Sequence, residues 1–289
     1  MKTTIKKVCS LMLIFLMAML CLNVQAQPTV DLRSVVKDDL ERSNADHTYI
    51  AVMDIRTGDI VNSGHFFKGS AQDNWLQKPI STGLLSTIAV SAALETNKIT
   101  LEDTVDTGDG VLEYRGDTIY DHNWRRGGYG DLTLRQALKM LSNVGVMKAV
   151  SKAYVNVDDF VNDFRKKTDL QITDFNFTKC KVTPAQICKL YSRIASEGDP
   201  TAIDVLKCTS DERSLLCYNL HDMKDVLVNG SVVLDKSGKT VEICGFLPAS
   251  APQYTVHVRL EKANSQFSIS MARDIFYDVC KTYLHKCNQ

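Results

Sequence analysis

The segments with the strongest strand character stand at opposite ends of the chain. "TYIAVMDI" and "IVNSGHFF" at residues 48–67, joined by the turn "RTGD", read as a hairpin. "SVVL", "TVEICGFL" and "YTVHVRLE" at residues 231–261 read as three more strands. A lone two-stranded hairpin is marginally stable in water. The arrangement that satisfies both ends is one antiparallel sheet built from them, with the middle of the chain as a separate lobe. After the last strand, "QFSISMARDIFYDVCKTYL" predicts a helix. Its Phe267, Met271, Ile275 and Val279 fall four apart, with Phe276 and Tyr283 beside them, as one apolar face.

The middle reads as helical. "STGLLSTIAVSAALETNK" is uncharged until Glu95 and suits a buried helix. "LRQALKMLSN" and "VDDFVNDFRKK" are shorter helical stretches, the first interrupted at Ser142-Asn143-Val144-Gly145. "TPAQICKLYSRIASEG" opens on a Thr cap with Pro184 in the first turn and closes at Gly198. Residues 103–133 are rich in Gly, Asp and Arg and predict a long irregular loop. There Gly127, Gly128 and Gly130 supply turns, which predicts that Trp124, Arg125 and Arg126 sit in a surface loop. "VDLRSVVKDDLERS" ahead of the first strand predicts an amphipathic helix.

The first residues predict export. Lys2, Lys6 and Lys7 precede an apolar run from Val8 to Leu22, and Val24 and Ala26 stand at small-residue cleavage positions. This is the pattern of a secretory signal cut after Ala26, with residues 27–289 as the mature domain in an extracytoplasmic, periplasmic or secreted location. Membrane attachment follows only if the segment is kept as an anchor. A lipoprotein reading at Cys21 is disfavoured by the bulky Leu20 before it. The signal removes three lysines and no acids, leaving 31 basic against 34 acidic residues, which argues against nucleic acid as a partner.

Seven cysteines remain, all in the second half, an odd number with no zinc-type spacing. Neither a metal nor a cofactor is expected. If a disulfide forms, Cys280 and Cys287 are the first pair to check.

"KSGKT" at residues 236–240 admits three readings. A phosphate-binding loop needs glycine where Val233 stands and a helix where "VEICGFL" follows, so that reading fails. An active-site strand and a plain hairpin turn remain. The neighbours bear on the choice: "LEDTVDTGDGV", "YDHNWRRGGYGDLTLRQALKMLSNVGVMKAV", "VTPAQICKLYSRIASEG" and "LDKSGKTVEICGFLPASAPQYTVHVRLEK" occur in that order. Together they resemble the transpeptidase domain of class B penicillin-binding proteins, from about Thr48 to Tyr283.

The resemblance implies a mixed α/β (α+β) fold of the β-lactamase/transpeptidase type. It would have a five-stranded antiparallel sheet flanked by helices, plus an all-helical lobe. It also implies three motifs: Ser-x-x-Lys opening a helix, where the lysine activates the serine; Ser-x-Asn; and a Lys-Ser/Thr-Gly strand. Counted from Lys78-Pro79, Ser81 takes the nucleophile position and Leu84 the lysine's. Counted from the helix end, Gly83 takes the serine's and Ser86 the lysine's. Neither alignment holds both groups. Ser34 alone has a lysine three residues on, Lys37, on the N-terminal helix. In the second motif Leu141 replaces the serine. Asn143 remains as a substrate-binding candidate, or as a residue closing a helix with Gly145 behind it. Lys236, Ser237 and Gly238 fill the third motif as substrate-binding candidates, followed by Lys239 where a hydroxyl is preferred.

Losing members of such a unit costs on the order of 10⁴–10⁶ in rate. The main expectation is therefore a non-catalytic or impaired relative that binds a peptidoglycan peptide, a β-lactam-like ligand or a cell-wall protein. The alternatives are an active D,D-transpeptidase or carboxypeptidase whose Ser81 uses an unorthodox base, Lys78 or Lys236, and a scaffold with no ligand.

Overall fold

The front hairpin forms where the two strand-like runs and their turn place it: β1 (His47–Asp54) and β2 (Ile60–Phe67) pair antiparallel, with a bulge between Val52 and Met53. The computed structural model describes residues 30–67, 74–218, 224–235, 238–263 and 265–287. The signal-like segment lies outside them. Ahead of β1 the expected helix is divided into α1 (Leu32–Val35) and α2 (Lys37–Ser43).

After the short strand β3 (Ile80–Ser81) comes α3 (Ser86–Glu95), whose residues are buried from Ser86 to Ala93. The loop at residues 103–133 carries more order than its composition predicts. It holds β4 (Thr104–Asp106), β5 (Val111–Tyr114), β6 (Asp117–Tyr120) and β7 (Asp131–Thr133), paired β4 with β7 and β5 with β6. Trp124–Arg126 form a single 3₁₀ turn in which both arginines are exposed, and Gly127, Gly128 and Gly130 all take positive φ.

The lobe continues through α4 (Leu134–Lys139), α5 (Asn143–Ala153) and α6 (Val157–Thr168). The strand β8 (Lys181–Val182) then leads into α7 (Pro184–Glu197) and α8 (Pro200–Thr209). α7 starts and stops as its sequence directs. Thr183 and Gln186 form a reciprocal capping box, Pro184 sits in the first turn and Gly198 ends the helix in the left-handed region.

The rear strands are β9 (Leu227–Asp235), β10 (Gly238–Leu247) and β11 (Tyr254–Glu261), followed by α9 (Ser268–Cys287). The sheet order is β2-β1-β11-β10-β9, so the two chain ends meet at the antiparallel β1–β11 ladder. This is the expected five-stranded antiparallel sheet in a mixed α/β fold. One face carries Tyr49, Ala51 and Met53, which pack with Trp75 and with Cys188 of α7. Cys244 and Phe246 on the same face join the core of the helical lobe. α9 packs on β10 and β11. Among the described residues no helix is long and apolar enough to cross a membrane.

Two further details differ from the sequence-based expectation. The face that α9 buries is Ala272, Ile275, Phe276, Val279, Cys280 and Tyr283, while Phe267 is 58% exposed and precedes the first turn. Residues strictly four apart advance about 40° around a helix at each step, so that series drifts off one face. All seven cysteines outside the signal-like segment are free thiols. Cys280 and Cys287 lie on one helix with a rise of about 10 Å between them, beyond disulfide reach.

Candidate functional site

The groove between the helical lobe and the edge strand β9 forms around the start of α3. Thr82 is buried, and its hydroxyl oxygen accepts from Leu84 N at 3.0 Å. Ser86 N donates to Gly83 O at 3.0 Å, which closes the turn that opens the helix. Gly83 is pressed against β9. A Cβ added to it would lie 2.7 Å from Ser231 Cβ, 3.1 Å from Ser231 Oγ and 3.6 Å from Asn143 Oδ1. Ser231 is itself buried, and its hydroxyl has no hydrogen-bond partner among the described residues.

Asn143 opens α5 instead of closing α4. Leu141 takes positive φ at 53°, which breaks the chain direction, and Ser142 caps the new helix by accepting from Gly145 N at 2.9 Å. Ser142 also donates to Asp121 at 2.7 Å, and Asp121 accepts from Val144 N at 3.0 Å. Burial raises the Asp121 carboxyl above its usual range against these donors. Asn143 Nδ2 donates to Tyr120 O at 3.0 Å and across the groove to Val232 O of β9 at 2.7 Å. This second bond fastens α5 to the sheet edge.

Deeper in, Asn229 Nδ2 reaches Ser86 Oγ at 3.0 Å and Tyr191 OH at 3.1 Å, and Tyr191 donates to Leu84 O at 2.9 Å. Burial holds the Tyr191 phenol far above the usual range, despite the bonds with Thr87 and Asn229. Asn229 and Ser231 are therefore the residues of β9 that face Ser86 and Gly83, while the Gly230 between them turns to Leu216 on the other face.

Of the Lys236-Ser237-Gly238 motif, the structure describes Gly238. Gly238, Lys239 and Thr240 belong to β10 and pair with Asp235, Leu234 and Val233 at the far end of the β9–β10 ladder. Lys236 and Ser237 lie outside the described residues. From Ser231 to Asp235 the strand runs about 13 Å, so Gly238 is removed from the Gly83 neighbourhood. The wall formed by Asn229 and Ser231 lacks a lysine, so motif matching passes over it. Pairing β9 back from "ICGFLP" would have found it, since Asn229 stands opposite Cys244.

Ser81 has a lysine within reach, though neither expected one. β3 pairs with β8, and Lys181 Nζ donates to Ser81 Oγ at 2.8 Å. Ser34 lies in α1, which packs on β2 and α9. Arg259 Nη1 donates to Ser81 O at 3.2 Å and pairs with Glu242 at 2.9 Å, while Arg259 Nε pairs with Glu261 at 2.8 Å. Glu242 is fully buried, and His257 Nε2 stands 3.4 Å from it. Burial would raise the Glu242 carboxyl, but Arg259 and His257 outweigh it and hold the group down at about 2.

No protein-family model and no curated protein matches the chain in sequence. Solved structures do match in fold. The transpeptidase domain of penicillin-binding protein 3 from Burkholderia pseudomallei superposes with a TM-score of 0.70 at 16% identity, covering 89% of this chain and 93% of that one. A peptidoglycan glycosyltransferase from Burkholderia ambifaria gives 0.65 at 16% identity, over 87% and 94%. Penicillin-binding protein 2X from Streptococcus thermophilus gives 0.69 at 14% identity, over 87% of this chain and 50% of that longer one. The fold is that of a penicillin-binding-protein transpeptidase domain.

Proposed function

We propose that this chain is an exported, peptidoglycan-associated relative of the penicillin-binding proteins. It has lost acyl transfer and acts by binding a wall peptide or a protein partner. The observation that carries this reading is the approach of Ser231 to Gly83. The helix start that would hold a nucleophile has no side chain, and a Cβ there would lie 2.7 Å from the strand that should face it. The Asn143 bond to Val232 O, at 2.7 Å, draws the groove walls together at the same level. Asn143 is thus engaged with the protein's own sheet edge. Ligand contact by Asn143 Nδ2 would require that bond to open, and contact by Gly238 would fall at the far end of the β9–β10 ladder.

The test is intact-mass spectrometry of the mature protein with excess penicillin. The expected result is no gain of one drug mass within an hour. One observation favours a second reading, a serine acyl-enzyme at Ser81. Lys181 stands 2.8 Å from its hydroxyl, where a base would have to be. A mass gain abolished both by Ser81→Ala and by Lys181→Met would establish that reading and overturn the first.

A further inference from the structure

Two residues before Gly83, the same chain segment borders an open cleft of about 200 Å³. Pro79, Ile80, Ser81, Lys181, Val233, Thr240 and Arg259 line it. We infer that this cleft is a binding site for a small monoanion, a carboxylate, held by Lys181 and Ser81. It lies beside the start of α3, not at it, and uses residues from β3 and β8.

The argument rests on what the lining offers. It contains two cationic side chains, two hydroxyls and three apolar walls, and no carboxylate. The two cations differ in their commitments. Arg259 is mostly buried and ion-paired to Glu242 and to Glu261, and its remaining bond to Ser81 O fixes the strand. Its charge is already compensated. Lys181 is exposed and makes no ion pair among the described residues. Its ammonium has three donors, of which one goes to Ser81 Oγ. Because Ser81 Oγ accepts that bond, its own proton is available to a ligand. Lysine N–H and serine O–H thus converge on one position at the cleft wall. This donor pair suits an oxyanion, since a charge-assisted bond is about twice as strong as a neutral one.

The charge count selects the class. One uncompensated ammonium matches a monoanion, whereas a dianion such as phosphate would bring a second charge with no partner. Pro79, Ile80 and Val233 offer apolar surface to the carbon next to a carboxylate. The antiparallel pairing of Ile80 with Val182 and of Ser81 with Lys181 presets the geometry, so little ordering is needed on binding.

The inference is independent of whether acyl transfer is lost, because that is read from covalent mass and this from reversible binding. Saturation-transfer NMR on the mature protein would use N-acetylglycine, its neutral amide N-acetylglycinamide, and inorganic phosphate as a competitor. The acid is expected to bind with a Kd on the order of 1 mM. The amide should give no transfer, and phosphate should compete poorly. Lys181→Met should weaken the acid about tenfold, and Lys181→Arg should retain most of the binding. Circular dichroism of each variant would confirm that the exposed substitution leaves the fold intact. Equal binding of acid and amide, acid binding unchanged in Lys181→Met, or no acid binding at all would each overturn the assignment.

Discussion

The backbone of Gly83 and the side chain of Ser231 are packed so closely that a Cβ on the glycine would lie 2.7 Å from the serine's own Cβ. Separations below 3.0 Å are essentially never seen for real Cβ atoms. The helix start and the edge strand therefore exclude any side chain at residue 83 unless one of them moves. Gly83→Ala should cost about 1–3 kcal/mol in urea unfolding. Ser231→Gly should relieve most of that cost in the double variant, giving a coupling of about 1 kcal/mol or more in a double-mutant cycle. Additive effects would show that the contact does not constrain the site. Ser231→Ala alone should be neutral or stabilising, because it removes a buried hydroxyl with no partner among the described residues.

Asn143 ties β9 to the helical lobe. Asn143→Ala removes the bonds to Tyr120 O and Val232 O and leaves two carbonyls short of a partner. The expected loss is about 1–3 kcal/mol. Hydrogen exchange should locate the effect in β9 more than in β1 or β11, because β9 is the edge strand whose outer side this bond occupies. Protection lost evenly across the sheet would mean that Asn143 acts on global stability alone.

The buried Glu242–Arg259 pair makes stability depend on acid pH. The folded-state carboxyl is held down at about 2, below the ordinary value of 4.5. The unfolded chain therefore takes up this proton first as pH falls. The contribution is complete above about pH 4.5 and is lost progressively as pH falls towards 2. Glu242→Gln should flatten that part of the stability profile. It should also destabilise the protein by about 3–5 kcal/mol at neutral pH, because Arg259 loses one of its two partners in a largely buried setting. An unchanged acid limb in the variant would assign the acid sensitivity to other carboxylates.

Arg125 and Arg126 are surface residues of the 3₁₀ turn, with the Arg125 guanidinium 5.2 Å from the Trp124 ring. Alanine at both positions should shift stability by no more than about 0.5 kcal/mol each. A large drop in melting temperature would show that the turn depends on them. Arg126 also depresses the Lys239 ammonium, second to the effect of burial. Arg126→Ala should therefore raise the pH at which Lys239 titrates, measurable by NMR of the lysine side chain.

The sequence alone determined the architecture of this protein. Apolar, β-branched runs bounded by turn residues at 48–67 and 231–261 commit both ends to strands, and their pairing in one sheet satisfies all five. The boundaries of α7 were equally legible, because a Thr cap, a Pro in the first turn and a closing Gly act locally. The tertiary structure decided the site. Whether Asn143 ends one helix or begins the next depends on the φ of Leu141 and the cap from Ser142, which composition does not specify. The strand segment facing Gly83 is set by the phase of the β9–β10 ladder, which places Asn229 and Ser231 there and leaves Gly238 at the far end, opposite Asp235. Ser81 and Lys181 meet across 100 residues because β3 and β8 pair. Such a contact arises from packing between distant segments, and neither residue carries a local mark of it.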